Sequence, residues 1–267
     1  MPHSAAKHSI GILFVGHGTR NKQGQVQFLD LAHAIRDKLH PIPLEPGFLE
    51  LAEPSIDDAV QALTSKADQI LTVPLLLFSA GHAKEDIPQA VQSACQQHSI
   101  QNAGQTEPLQ HSPALLHLAS RRFREALTAQ DQSIPHKDRA LLMLGRGSSD
   151  PAATRAMRHL TLYRKQADCV AYAGTSFFAV AKPDPTTLFD YIFQRRREKL
   201  IVVQPHLLFD GLLWQQAFSM VQEYQSKSSN RQWRITQPLG ADIALAQAIS
   251  EIIYSHLQQR LSENRLP

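Results

Sequence analysis

Cysteine is scarce: the chain of 267 residues has two, Cys95 and Cys169, with no Cys-x-x-Cys spacing. That argues against an iron–sulfur cluster or a cysteine zinc site and suits a reducing cytoplasm. Long apolar runs are also missing. None approaches the roughly 20 residues that span a bilayer, and the polar start, Met1 to Ser9, leads straight into a strand pattern with no visible signal peptide. Charge of one sign is nearly balanced at +3, too little to imply nucleic acid. Arg121-Arg122-Phe123-Arg124 and Arg195-Arg196-Arg197 fall in helical patterns and read as solvated faces. No Gly-x-x-x-x-Gly-Lys-Ser/Thr loop, complete Gly-x-Gly-x-x-Gly fingerprint or Gly-x-Ser-x-Gly elbow is present. Nucleoside-triphosphate hydrolysis, dinucleotide binding and serine hydrolysis therefore lose their usual signatures. The thirteen histidines form no His-x-His, His-Glu-x-x-His or polyhistidine tract.

What the chain does have is itself, twice. Gly16-His17-Gly18 follows the apolar run Ile12–Val15, and Gly145-Arg146-Gly147 follows Leu141–Leu144, 129 residues later. Pro54 and Pro183 keep the same offset, and Pro74 and Phe78 recur after 131 residues as Pro205 and Phe209. A duplicated unit predicts two domains, 1–130 and 131–267, with the polar stretch Gln130–Asp138 as linker. Hydrophobic residues make up 43%, enough for two packed cores.

Strand and helix patterns alternate, which predicts an α/β fold of two parallel sheets covered by helices. Strands are expected at Ile10–Val15, Leu44–Leu51 and Ile70–Phe78, and a short segment near residue 100. Helices are expected at Lys22–Leu39, from Pro54 or Ser55, at about Asp86–Gln97 and at Pro113–Ala129. In the second half the strands are placed at 140–144, 169–178, 199–205 and 232–236, with helices from about 151, at 184–197, at 211–225 and at 241–261. Pro74 and Pro205 are awkward inside a central strand because each lacks a ladder donor, so pairing is expected to give way there to a loop.

Ligands of such folds sit beyond the carboxyl ends of the strands. His17, Glu50 and His82 all occupy that position in the first half. Two imidazoles and a carboxylate make a borderline-metal ligand set that leaves open positions, and a neutral imidazole also accepts protons. The plainer reading of either histidine alone is a helix cap for His17 and a loop residue for His82. The second half has Arg146 where the first has His17, and no histidine near Leu213.

Val15-Gly16-His17-Gly18-Thr19-Arg20, Phe48-Leu49-Glu50-Leu51-Ala52-Glu53-Pro54-Ser55-Ile56 and Pro74–Pro88 together resemble the sirohydrochlorin chelatases. Gly145–Pro151 and Pro205–Gly211 are similar to the second-half motifs of that family's long, two-domain form. The resemblance spans roughly residues 10–240 in the correct order. It implies two chelatase-like domains with a cleft between them, and ATP-independent insertion of a divalent metal into sirohydrochlorin. Iron insertion would give sirohaem; cobalt insertion would lead to cobalamin. Carried onto this chain, the family's histidines fall on His17 and His82 and its carboxylate on Glu50, as metal ligands and catalytic groups. The substrate is rich in carboxylates, so Arg20, Lys84, Arg146, Ser148 and Ser149 are candidates to bind it. Tyr172 and Phe177 could pack on the ring, though core packing is the simpler role for both. No cofactor beyond the Fe2+ or Co2+ being inserted is expected, nor any partner beyond tetrapyrrole and metal for a monomer. No His-rich or Cys-rich tail follows the last helix, so no auxiliary cluster is expected. Two rivals remain open: a tetrapyrrole or metal carrier without turnover, and a metal-dependent hydrolase using the same three ligands.

Overall fold

The computed structural model describes residues 8–78, 81–109 and 112–263, the side chains of 81–84, 261 and 263 excepted. The first half runs β1 (His8–Gly16), α1 (Lys22–Leu39), β2 (Leu44–Phe48), α2 (Ile56–Thr64), β3 (Ala67–Pro74), α3 (Gly81–Gln97), β4 (Gln101–Gln105) and α4 (Pro113–Glu125). After a short α5 (Ala129–Gln132), the second runs β5 (Arg139–Gly145), α6 (Pro151–Ala167), β6 (Tyr172–Phe177), α7 (Pro185–Arg195), β7 (Leu200–Pro205), α8 (Leu212–Ser226), β8 (Gln232–Ile235) and α9 (Ile243–Glu263). All strands pair in parallel, in the orders β2-β1-β3-β4 and β6-β5-β7-β8. The two orders are one topology repeated, and it is the α/β fold that the alternating pattern predicted.

The inner strands are apolar on both faces because helices cover both. Leu13, Val15 and Ile70 pack with Val60 and Leu63 of α2 and Ile87 and Val91 of α3. On the other face Phe14 stacks on Phe28 of α1, their centroids 5.0 Å apart, and Leu31, Ile35 and Leu39 are fully buried behind it. Leu142, Leu144, Ile201 and Val203 pack likewise with Leu188 and Phe189 of α7 and Ala217 and Val221 of α8.

The repeat and the packing do not divide the chain at the same place. The repeat reads in sequence as 1–130 and 131–267. The compact units, however, comprise the residues up to Leu115 with those from Ala241 onward, and Leu116–Gly240. The cause is an exchange of last helices. α9 packs on α1, with the Tyr254 hydroxyl donating to the Lys38 carbonyl at 2.9 Å. Most of α4 belongs to the other unit, where Gln204 Nε2 donates to the Ala119 carbonyl at 2.9 Å. The stretch read as a linker is itself anchored, since Asp131 is buried and pairs with Arg234 of β8 at 2.7 Å.

Several boundaries differ from expectation for local reasons. α4 stops at Glu125 because Thr128 starts a new turn, its hydroxyl and the Asp131 carboxylate forming a reciprocal capping box. β2 stops at Phe48 because the chain turns at Leu49–Pro54, where Leu51 has φ 63°. α3 begins at Gly81, ahead of Asp86, and continues through Pro88, which removes one ladder donor. Pro74 and Pro205 do pair, opposite Val15 and Leu144, each as the last residue of its strand. Their missing donors therefore fall where the ladders end, as Leu75 and His206 resume bonding to the Val15 and Leu144 carbonyls at 2.8 Å.

His206, the counterpart of Leu75, is buried, and desolvation pushes its imidazole from the ordinary 6.5 down to about 3, with Arg164 adding to the shift. The unfolded chain takes up this proton as pH falls through 6.5, whereas the folded chain resists until about 3. This residue alone therefore costs about 1.4 kcal/mol of stability per pH unit across that window. Urea unfolding of the wild type should lose about 2 kcal/mol to it between pH 7 and pH 5. His206→Leu should remove that part of the slope, and an identical slope in the variant would refute the assignment.

Candidate functional site

His17 is the first residue beyond β1, and Glu50 lies in the loop beyond β2, so adjacent parallel strands deliver both to one sheet end. The backbone locks them together: Leu49 N–H donates to the Gly16 carbonyl at 2.9 Å, and Glu50 N–H to the His17 carbonyl at 3.1 Å. Gly18 permits this approach. It has φ 99°, and a Cβ there would lie 1.7 Å from the Glu50 carbonyl oxygen. The side chains then meet, His17 Nε2 standing 3.3 Å from Glu50 Oε1. The two side chains are 42% and 52% exposed, so both face solvent and any incoming ligand.

Neither residue is tied up in capping. The N-cap of α1 is Asn21, whose side chain accepts the Gln23 N–H at 3.0 Å, and Thr19 Oγ1 accepts the Asn21 N–H at 3.1 Å. The helix-cap reading of His17 therefore fails. His82 falls within α3, at its start, but its side chain lies outside the described residues, as does that of Lys84. Among the described residues no group of three His, Cys, Asp or Glu side chains is placed to hold a metal. His17 and Glu50 are two of the three expected ligands, and they are together.

The second half repeats the turn with other side chains. Ala179 N–H donates to the Arg146 carbonyl at 2.9 Å, and a Cβ on Gly147 (φ 94°) would lie 1.8 Å from the Ala179 carbonyl oxygen. Arg146 thus stands where His17 stands, and Ala179 where Glu50 stands. Arg146 and Ser149 are exposed, as is Arg20 in the first half. The Ser148 hydroxyl oxygen accepts the Asp150 N–H at 3.0 Å and so belongs to the cap of α6, as Thr19 does to that of α1. Phe177 is buried and serves the core.

Sequence reading passed over Leu51 and Val180. Both non-glycine residues are left-handed, with φ of 63° and 62°, at equivalent positions of the repeat. Leucine and valine carry no turn signature. The one available signal was their alignment at the same offset, between Glu50 and Pro54 and between Ala179 and Pro183.

No helix among the described residues is long and apolar enough to cross a membrane. The sirohydrochlorin ferrochelatase of Priestia megaterium is 29% identical over 250 residues, covering 93% of this chain and 91% of that protein. The sirohydrochlorin cobaltochelatase of the same organism is 26% identical over 257 residues, covering 95% and 82%. A solved structure of SirB from Bacillus subtilis with Fe3+ superposes with a TM-score of 0.80 at 24% identity, covering 92% of this chain and 94% of that one, a likeness of fold. The CbiX family model matches twice, over residues 11–126 and 140–255, and the duplicated chain belongs to that family.

Proposed function

We propose that the chain inserts a divalent metal, Fe2+ in preference, into sirohydrochlorin to give sirohaem, without ATP. The observation that carries this reading is the His17–Glu50 pair, held at 3.3 Å and open to solvent beyond the first strand of a CbiX-family unit. Metal insertion requires each of two pyrrole N–H groups to give up its proton as a metal–nitrogen bond replaces a metal–water bond. His17 is the base that accepts these protons one at a time, giving the first to solvent water before it takes the second. Glu50 supplies a hard, anionic oxygen to the incoming ion, and His82 is the third ligand of the set. The ion stays partly hydrated until pyrrole nitrogens displace its water.

Outside the centre, the substrate carboxylates need cations and N–H donors. Arg20 and Lys84 serve in the first half; Arg146, Ser148 and Ser149 serve in the second. The Ser148 O–H can donate to a carboxylate while its oxygen accepts from Asp150. The protein works as a monomer in the cytoplasm.

Cobalt insertion is the second reading, favoured by the likeness to a named cobaltochelatase. Affinity orders alone would favour Co2+ over Fe2+ at a nitrogen and oxygen site. The deciding experiment is an anaerobic absorbance assay of sirohydrochlorin with Fe2+ or Co2+ and a catalytic amount of protein. Multiple turnovers above the spontaneous rate are expected, fastest with Fe2+. Binding without turnover for either metal would leave a carrier and overturn the enzyme.

A further inference from the structure

We infer that Gln25 is a positioning residue for metal insertion, its side-chain amide bracing the turn that carries His17; this inference rests on the chelatase reading above. Each half builds the link from its first strand to its first helix in the same way. The Thr19 hydroxyl oxygen accepts the Asn21 N–H at 3.1 Å, as that of Ser148 accepts the Asp150 N–H at 3.0 Å. The Asn21 side-chain oxygen accepts the Gln23 N–H at 3.0 Å, as the Asp150 carboxylate accepts the Ala152 N–H at 2.8 Å. One bond breaks the correspondence. Gln25 Nε2 donates to the Thr19 carbonyl at 2.6 Å, whereas the residue 129 positions on is Thr154, whose shorter side chain has no amide to donate.

Starting the helix does not require this bond, since α6 begins on its Asp150 cap with threonine at the equivalent position. What the bond adds is a third anchor to the turn. The His17 carbonyl accepts the Glu50 N–H, Gly18 lies against the Glu50 carbonyl, and the Thr19 carbonyl accepts from Gln25, so three successive residues are held. The second half keeps the first two anchors, at Arg146 and Gly147. It lacks the Gln25 amide, and it also lacks the ligating pair, having Arg146 and Ala179 in place of His17 and Glu50. The extra anchor therefore goes with the metal chemistry rather than with the fold that both halves share.

The physical need for it lies in the exposure of the pair. His17 Nε2 and Glu50 Oε1 stand 3.3 Å apart on side chains that both face solvent, so side-chain packing does little to fix their spacing and the backbone must. Gly18, at φ 99°, is the softest joint of that backbone, because glycine restricts rotation least. Thr19 lies just beyond this joint, and tying its carbonyl to Gln25 of α1 limits how far the joint can swing His17. Small misplacements of reacting groups are costly, and a shift of about 1 Å can remove a hundredfold in rate. In this role Gln25 touches neither the ion nor the macrocycle and acts through His17.

The test uses the full chain with Gln25→Met, which keeps the side chain's length and helix preference but removes the donor, and Gln25→Thr, the residue of the other half. Gln23→Met, at an exposed position of the same helical turn, is the control. Thermal midpoint and steady-state Fe2+ insertion into sirohydrochlorin are measured for each. The His17 ring Cε1–H signal in the metal-free protein, assigned by its loss in His17→Ala, is followed by NMR. Both Gln25 variants should melt within a few degrees of wild type, while kcat falls and KM for Fe2+ rises, each about tenfold. KM for sirohydrochlorin should hold and the His17 signal should shift. Gln23→Met should match wild type throughout. A merely structural role would lower the melting point and leave the folded fraction's kinetics and the His17 signal unchanged. That result, or unchanged kcat and KM for Fe2+ beside normal wild-type turnover, overturns this inference alone. A wild-type protein that does not metallate sirohydrochlorin overturns the parent reading and this one with it.

Discussion

His17→Ala abolishes metal insertion into sirohydrochlorin while leaving the stability of the protein within about 1 kcal/mol of wild type. The two halves of that expectation have separate physical origins. The His17–Glu50 contact is 3.3 Å long, between side chains 42% and 52% exposed. Exposed ion pairs of this kind contribute about 0–1 kcal/mol. The interactions that hold the turn use the His17 carbonyl and the Asn21 cap, both of which an alanine at 17 retains. The chemistry has no such reserve. Losing a positioned general base removes about two to four orders of magnitude from the rate, and His17 is also an expected metal ligand. Glu50→Gln should act in the same direction through the metal, with KM for Fe2+ raised. The measurement is the anaerobic insertion assay beside urea unfolding of the same samples. A His17→Ala protein that keeps more than about a tenth of the rate defeats the proposed role. A variant that loses activity only by unfolding would assign His17 to the scaffold.

The legibility of this chain followed from how each signal is encoded. Apolar periodicity placed α1 at Lys22–Leu39, because Phe28, Leu31, Ile35 and Leu39 must share a buried stripe. Strand ends were less readable. Leu49–Leu51 continues the strand pattern that starts at Leu44, yet the β1 ladder has already ended at Phe48, and the left-handed Leu51 leaves no compositional mark. The convergence of His17 and Glu50 was readable because parallel strands in one sheet end on one side, whatever their loops do. The helix exchange was not. The amphipathic patterns of α4 and α9 say that each buries a face, but not which sheet receives it; sequence order alone places each in its own repeat. His206 was invisible for a similar reason. A histidine after a strand-ending proline reads as a loop residue, and only the packing around it shows it to be buried.

Gly18→Ala and Gly147→Ala should cost similar stability and differ in what they do to the chemistry. At both positions φ lies in the region that disfavours a side chain, at 99° and 94°, and the new methyl would stand 1.7 Å and 1.8 Å from a backbone carbonyl oxygen. Backbone cannot rotate aside as a flexible side chain can, so the loop carrying residue 50 or 179 must move. Strain with a direct backbone clash is worth on the order of 3–5 kcal/mol, a large part of a typical 5–15 kcal/mol total. Urea unfolding of both variants should report comparable losses. The folded fraction should then separate them. In Gly18→Ala the displaced loop carries Glu50 away from His17, the pair no longer shares one ion, and kcat falls by about a hundredfold or more. In Gly147→Ala the displaced residues are Ala179 and Val180, which hold no metal. There kcat should stay within a few-fold while KM for sirohydrochlorin rises, because what moves is the neighbourhood of Arg146, whose carbonyl accepts the Ala179 N–H. Equal losses of kcat in the two variants would mean that both turns carry the chemistry, and the asymmetry between the halves would have to be abandoned. Equal retention of kcat would mean that the His17–Glu50 geometry is not needed for insertion. The division of labour argued from one repeated turn thus rests on a single comparison of kcat with KM.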